Sequence, residues 1–155
     1  MKTDLQVSRW LNTETSPSLA ALRGQLVVVH AFQMLCPACV SHGLPQTQRL
    51  HQQLQGQAAQ VLGLHTVFEH HEAMGEVALR AFIHEYRLTF PIGIDRPGLE
   101  GDPIPQTMRA WGLRGTPSLL IFDAQGRLRA HEFGAVDDLA LGLLLGQLLG
   151  EMSST

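Results

Sequence analysis

An α/β fold, with a mixed β-sheet covered by helices on both faces, is what this sequence predicts, and two observations carry it. From Gln25 to Trp111, short apolar β-branched runs alternate with helix-forming stretches, which is the order of parallel βαβ units. Beyond Arg114 the order changes. Ser118–Phe122 and Leu128–Phe133 flank Asp123-Ala-Gln-Gly126, a turn with glycine at its last position, so these runs form an antiparallel hairpin. Parallel units joined to a hairpin give a mixed sheet. The 155 residues, 45% of them hydrophobic, suffice for one sizeable core, and no Ser/Gly-rich linker divides them, so residues 1–155 are read as a single domain.

Taken in order, Gln25–Phe32 (QLVVVHAF) is a continuous β-branched run with the character of a buried strand. Cys36–Gln55 follows as a helix built on Gln46, Gln48, Arg49, Leu50 and Leu54. Gly43 and Pro45 predict a bend within it, because proline has no N–H to continue the helical ladder. Gln60–Val67 reads as a strand, Ala73–Tyr86 as a helix, Phe90–Ile94 as a strand and Pro105–Trp111 as a short helix. Val136–Gly150 closes the chain as a helix with Asp137 and Asp138 in its first turn. Its Gly142, Gly146 and Gly150 fall on one line, a smooth stripe expected to dock onto the chain's own sheet rather than to form a dimer seam. The expected assembly is a monomer or weak homodimer.

Composition excludes several classes of partner. The net charge is −3 and no run of Lys and Arg occurs, so neither nucleic acid nor an anionic membrane surface is favoured. No window reaches the roughly 18 apolar residues of a membrane span. The polar start MKTDLQVSRW lacks the apolar stretch of a signal peptide, so a soluble, cytoplasmic protein is expected.

The chain has two cysteines, Cys36 and Cys39, two residues apart. A loop this small makes a poor structural staple, since the entropy removed from the unfolded chain grows with loop length. Zinc would need two more ligands; no second CxxC exists, although His42, His65, His70 and His71 could in principle complete a site. The expectation is therefore no metal, and redox chemistry. The pair lies where a strand ends and a helix begins, and there unpaired N–H groups and the helix dipole favour a thiolate at the first cysteine. Pro37 suits the first turn, which needs no N–H from it. Cys36 is then the nucleophile and Cys39, nearly one turn on, resolves the mixed disulfide. No Gly-rich phosphate loop is present, so no flavin, nicotinamide or other cofactor is expected, and electrons come from an external reductant.

Leu26-Val-Val-Val-His-Ala-Phe32, then Cys36-Pro-Ala-Cys39, then Arg114-Gly-Thr-Pro-Ser118 before Leu-Leu-Ile-Phe122, resembles the thioredoxin superfamily over most of the chain. Within it, Ser18-Leu-Ala-Ala-Leu-Arg-Gly24 and Phe82–Asp95 are similar to the TlpA/ResA-type thiol-disulfide oxidoreductases of the redoxin, AhpC/TSA group. The resemblance implies a thioredoxin-like fold and disulfide exchange with partner proteins. It also implies a cis Thr116–Pro117 bond across from the cysteines, with the Thr116 backbone able to pair with an extended partner segment.

Departures from the family pattern are equally legible. Met34-Leu35 replaces the Trp that usually precedes the first cysteine, leaving an apolar but non-aromatic rim. His30 stands at the spacing of the buried Asp of thioredoxins, and Glu69 is the nearest match to the Glu that TlpA/ResA-type proteins carry after the second core strand. Either is a candidate acceptor for the Cys39 proton, with His30 assigned its ordinary value near 6.5 and Glu69 slightly favoured. A hydrogen-bonded core histidine and a solvated loop glutamate are the bland alternatives. Two rivals stand beside the oxidoreductase. A peroxiredoxin-like thiol peroxidase would need a Pro and a Thr or Ser where this chain has Val29 and Gln33. The other is a non-catalytic thioredoxin-like interaction module with a vestigial CxxC.

Overall fold

The computed structural model describes residues 2–153. Its centre is β2 (Leu26–Phe32), a strand buried along its whole length. It is flanked by β3 (Ala59–His65) in parallel and β5 (Ser118–Phe122) antiparallel. A third parallel strand, β4 (Ile92–Asp95), adds beyond β3, and β6 (Leu128–Phe133) pairs antiparallel with β5 across the predicted turn. In that turn Gly126 donates to the Asp123 carbonyl over 2.8 Å and takes a positive φ of 79°, the conformation glycine adopts without steric cost.

One strand was not expected. β1 (Val7–Leu11) pairs antiparallel with β4 and completes a six-stranded sheet of order β1-β4-β3-β2-β5-β6. Its VSRWL sequence is short and polar on one side, and its partner lies more than eighty residues away, so local pattern gives no sign of it. Side chains of the opening segment fix it: both Asp4 carboxylate oxygens accept backbone N–H groups, from Leu19 and Ala20, and the Trp111 indole donates to the Thr3 carbonyl over 2.8 Å.

Four helices are α1 (Leu44–Gln53), α2 (Glu76–Glu85), α3 (Gln106–Trp111) and α4 (Asp138–Ser153). α2 starts later than Ala73 because Gly75, in extended conformation, stands just ahead of its first turn, after a separate short turn at His71–Ala73. Alternation along β2 sends Val28 and Phe32 to one face, where they meet Leu79 and Ile83 of α2 and Leu141, Leu145 and Leu148 of α4. Val27, Val29 and Ala31 go to the other face, against Met108 and Trp111 of α3.

The glycines of α4 do not dock on the sheet. Leu141, Leu145 and Leu148 take that side, while Gly142, Gly146 and Gly150 face outward; a Cβ at any of them would meet nothing within 4 Å. The reason is hydrophobic. Burying a leucine removes a large apolar area from water and burying glycine almost none, so the leucine side decides how the helix sits.

Candidate redox site

Cys36 and Cys39 are joined as a disulfide with their Cα atoms 5.2 Å apart. Cys36 is half-buried and Cys39 is inaccessible to solvent. Helical conformation begins at Pro37. Its first turn is capped by sulfur: the Cys39 N–H lies 3.3 Å from the Cys36 Sγ and points at it, while the Val40 N–H donates to the Cys36 carbonyl over 3.1 Å. An acceptor at the helix cap satisfies an orphan N–H, and it does so best when it carries negative charge, as a Cys36 thiolate would.

Past the cysteines the helix widens before it regularises. Cys39–Gly43 form a π-helical turn, with the Leu44 N–H returning to the Cys39 carbonyl, and α1 follows directly. The expected bend at Gly43 and Pro45 takes this form. Pro45 has no N–H for the Ser41 carbonyl and its ring would crowd that carbonyl in a regular helix; one wide turn removes the conflict.

The Thr116–Pro117 bond is cis, Thr116 is half-buried and Pro117 buried, and the Cys36 Sγ lies 3.6 Å from the Thr116 carbonyl oxygen. Thr116 and Pro117, which lead directly into β5, therefore bring the Thr116 carbonyl beside the Cys36 sulfur.

The two candidate proton acceptors are placed differently. His30 is 2% exposed and neither ring nitrogen has a hydrogen-bond partner. Burial, helped by the charge of nearby His42, pushes its pKa down to about 3. The ordinary value assigned from sequence therefore does not hold: a group this weakly basic is a poor acceptor for a thiol proton near neutrality. It is also not the hydrogen-bonded core histidine of the bland alternative. Its ring fills the space beside Gly43, where a Cβ would lie 2.6 Å from Nε2. Glu69 sits exposed in the loop after β3, with no hydrogen bond or ion pair among the described residues. Neither is hydrogen-bonded to Cys39.

Three residues outside the sequence-derived set shape the approach to Cys36. The Met34 N–H points at Nε2 of buried His65 over 3.4 Å, the Leu35 N–H at the Met74 Sδ over 3.4 Å, and the Gln33 Oε1 accepts the Phe68 N–H over 3.2 Å. Burial lowers the His65 pKa to about 4, so its ring is neutral and free to accept at Nε2. Each pair spans more than thirty residues, and nothing local in the sequence signals it. Leu35 itself is 56% exposed and forms the apolar rim. The remaining histidines are dispersed: His42 meets the Val136 carbonyl and His71 the Pro103 carbonyl. Among the described residues no group of three or more His, Cys, Asp or Glu is placed to hold a metal ion, and no helix is long and apolar enough to cross a membrane.

Comparison with known proteins agrees with this geometry. Residues 4–131 match the AhpC/TSA family. A crystal structure of a thioredoxin-like superfamily protein is 53% identical with a TM-score of 0.92, covering 97% of each chain. A thiol-disulfide isomerase from Corynebacterium glutamicum is 49% identical with a TM-score of 0.91, covering 96% of each chain. StoA from Bacillus subtilis, at 19% identity and a TM-score of 0.71 over 94% of this chain and 98% of its own, shares the fold. No curated protein sequence matches the chain.

Proposed function

The chain belongs to the AhpC/TSA family and is a thiol-disulfide oxidoreductase, and from that premise we propose that it exchanges disulfides with partner proteins through Cys36, with Cys39 as resolving thiol. The observation that carries this reading is the asymmetry of the pair: Cys36 is half-buried with its sulfur facing a helix N–H, and Cys39 is sealed from solvent.

In the reduced enzyme the Cys36 thiolate attacks one sulfur of a partner disulfide. A bond forms between Cys36 and that sulfur, the partner's S–S bond breaks, and the departing thiolate takes a proton. Cys39, having lost its own proton, then attacks the Cys36 sulfur. The Cys36–Cys39 disulfide forms and the second partner sulfur leaves as a thiol. The partner gains two electrons and the enzyme loses two; an external dithiol restores it. Thr116, its carbonyl beside the Cys36 sulfur, aligns the partner's backbone by strand-like pairing, with Pro117 behind it. The Cys39 proton passes to solvent or to the departing partner thiolate, with His30 a neutral wall behind the helix. A peroxidase role is disfavoured by Val29, which is buried and apolar, and by Gln33, whose side-chain oxygen already holds the Phe68 N–H.

Cys39→Ser should accumulate mixed disulfides with partner proteins through Cys36, and Cys36→Ser none, as read on non-reducing gels. The wild type should reduce insulin disulfides while consuming hydrogen peroxide only slowly. Equal trapping by both variants, or rapid peroxide turnover with poor insulin reduction, would overturn the assignment.

A further inference from the structure

β2, β3 and β4 run parallel, so their carboxyl ends lie along one edge of the sheet. The redox pair follows the end of β2. Along the same edge, past the ends of β3 and β4, a cavity of about 640 Å³ opens between α2 and the segment 96–105. That volume is within the range of about 300–1,000 Å³ typical of ligand pockets and exceeds what one side chain fills. Val67, Met74, Leu79 and Ile94 give it apolar walls.

The carboxylates on its walls are already engaged. Asp95 accepts from Thr66 and from the backbone N–H groups of Thr107 and Met108, Glu76 pairs with Arg9 and Arg80, and Asp102 pairs with Arg109. A cation finds no open partner there. Two wall residues, His65 and Met74, are the same ones that hold the Met34 and Leu35 N–H groups, so the cavity's wall comes within one residue of Cys36 along the chain. Nε2 of His65 accepts the Met34 N–H, and burial keeps its ring neutral, so it adds no charge to the wall. Leu35, whose N–H points at the wall residue Met74, is itself exposed and directly precedes Cys36.

We infer that this cavity is a specificity subsite of the exchange reaction, taking a short apolar stretch of the disulfide-bearing partner that flanks the target cysteine. The inference rests on the thiol-disulfide reading above. The occupant is argued from continuity with the redox pair, from the apolar walls, and from the absence of an unspent charge.

The test uses three disulfides: hydroxyethyl disulfide, which reports the redox pair alone, and two peptides carrying a cysteine capped as a mixed disulfide with mercaptoethanol. One peptide has Leu-Phe beside the cysteine and the other Ser-Ser. The variant is Gly75→Leu; Gly75 lines the cavity with an ordinary φ of −79°, and a Cβ there meets nothing within 4 Å, so the added side chain enters open space. With each rate divided by that on hydroxyethyl disulfide, the wild type should favour the Leu-Phe peptide in kcat/KM by about tenfold or more, and Gly75→Leu should bring the ratio close to one. Titrating the serine analogue of the Leu-Phe peptide into oxidised wild-type protein should shift the Leu79 and Ile94 methyl resonances. Equal ratios in the two proteins, unmoved methyls, or a wild type that reduces the Ser-Ser peptide as fast as the Leu-Phe peptide would each overturn the subsite while leaving the redox function standing. Failure of the wild type to reduce even hydroxyethyl disulfide would remove that function and the subsite with it.

Discussion

His30 is neutral, buried and without a hydrogen-bond partner, and this makes it an acid-sensitive point. Unfolded, a histidine ionises near 6.5; here burial lowers the value to about 3. Between those values the unfolded chain holds the proton and the folded one does not, so stability falls as pH drops below about 6.5 and the loss stops growing below about 3. One pH unit in that window is worth about 1.4 kcal/mol, so His30 costs on the order of 3 kcal/mol at pH 4. His65, lowered to about 4 by burial, adds a loss of the same sign. His30→Leu should therefore lose less stability than wild type between pH 7 and pH 4, measured as urea midpoints in one redox state. Its stability at pH 7 should be equal or higher, because an unsatisfied buried polar group is removed. Parallel pH profiles for the two proteins would refute the account.

The π-helical turn at Cys39–Gly43 explains why glycine ends it. A Cβ on Gly43 would lie 2.6 Å from the His30 Nε2 and 3.4 Å from the Pro117 Cβ, so residue 43 presses on both the neutral imidazole and the segment facing Cys36. Gly43→Ala should destabilise the protein by about 1–3 kcal/mol through overpacking, despite alanine's better helix propensity. Combined with His30→Ala, which vacates the space, the penalty should largely disappear. A double-mutant cycle in urea would show this as a coupling of at least about 0.5 kcal/mol, and simple additivity would argue against the contact.

Across the whole molecule, the opening segment straps the β4 edge to α3. Buried Thr107 is the clasp: its hydroxyl oxygen accepts the Gln6 N–H over 2.8 Å, and the Arg96 N–H donates to the Gln6 carbonyl over 2.8 Å. Thr107→Val keeps the shape but leaves the Gln6 N–H unpaired, a cost of about 1–3 kcal/mol. Amide exchange should then accelerate in β1 well before it does in β2, which every other layer covers, because local opening draws on the least buried unit. Uniform acceleration through the sheet would mean that the strap is part of the global unfolding unit.

The sequence by itself determined the fold class, the hairpin, the redox pair and the pairing of Thr116-Pro117 with it, because each rests on local pattern: period, turn chemistry, cysteine spacing at a strand–helix junction, and motif resemblance. Tertiary structure decided what local pattern does not carry. β1 forms because β4 offers an unpaired edge to a strand too short and polar to announce itself. The α4 glycines face solvent because the leucines beside them had more area to bury. The supports of the Cys36 loop, His65 and Met74, lie more than thirty residues from the N–H groups they hold. His30 lost its ordinary basicity to burial, a property of the surrounding packing rather than of the residue. The sequence names which groups can react. How strongly water, charge and neighbours act on them is set only when distant segments close over them.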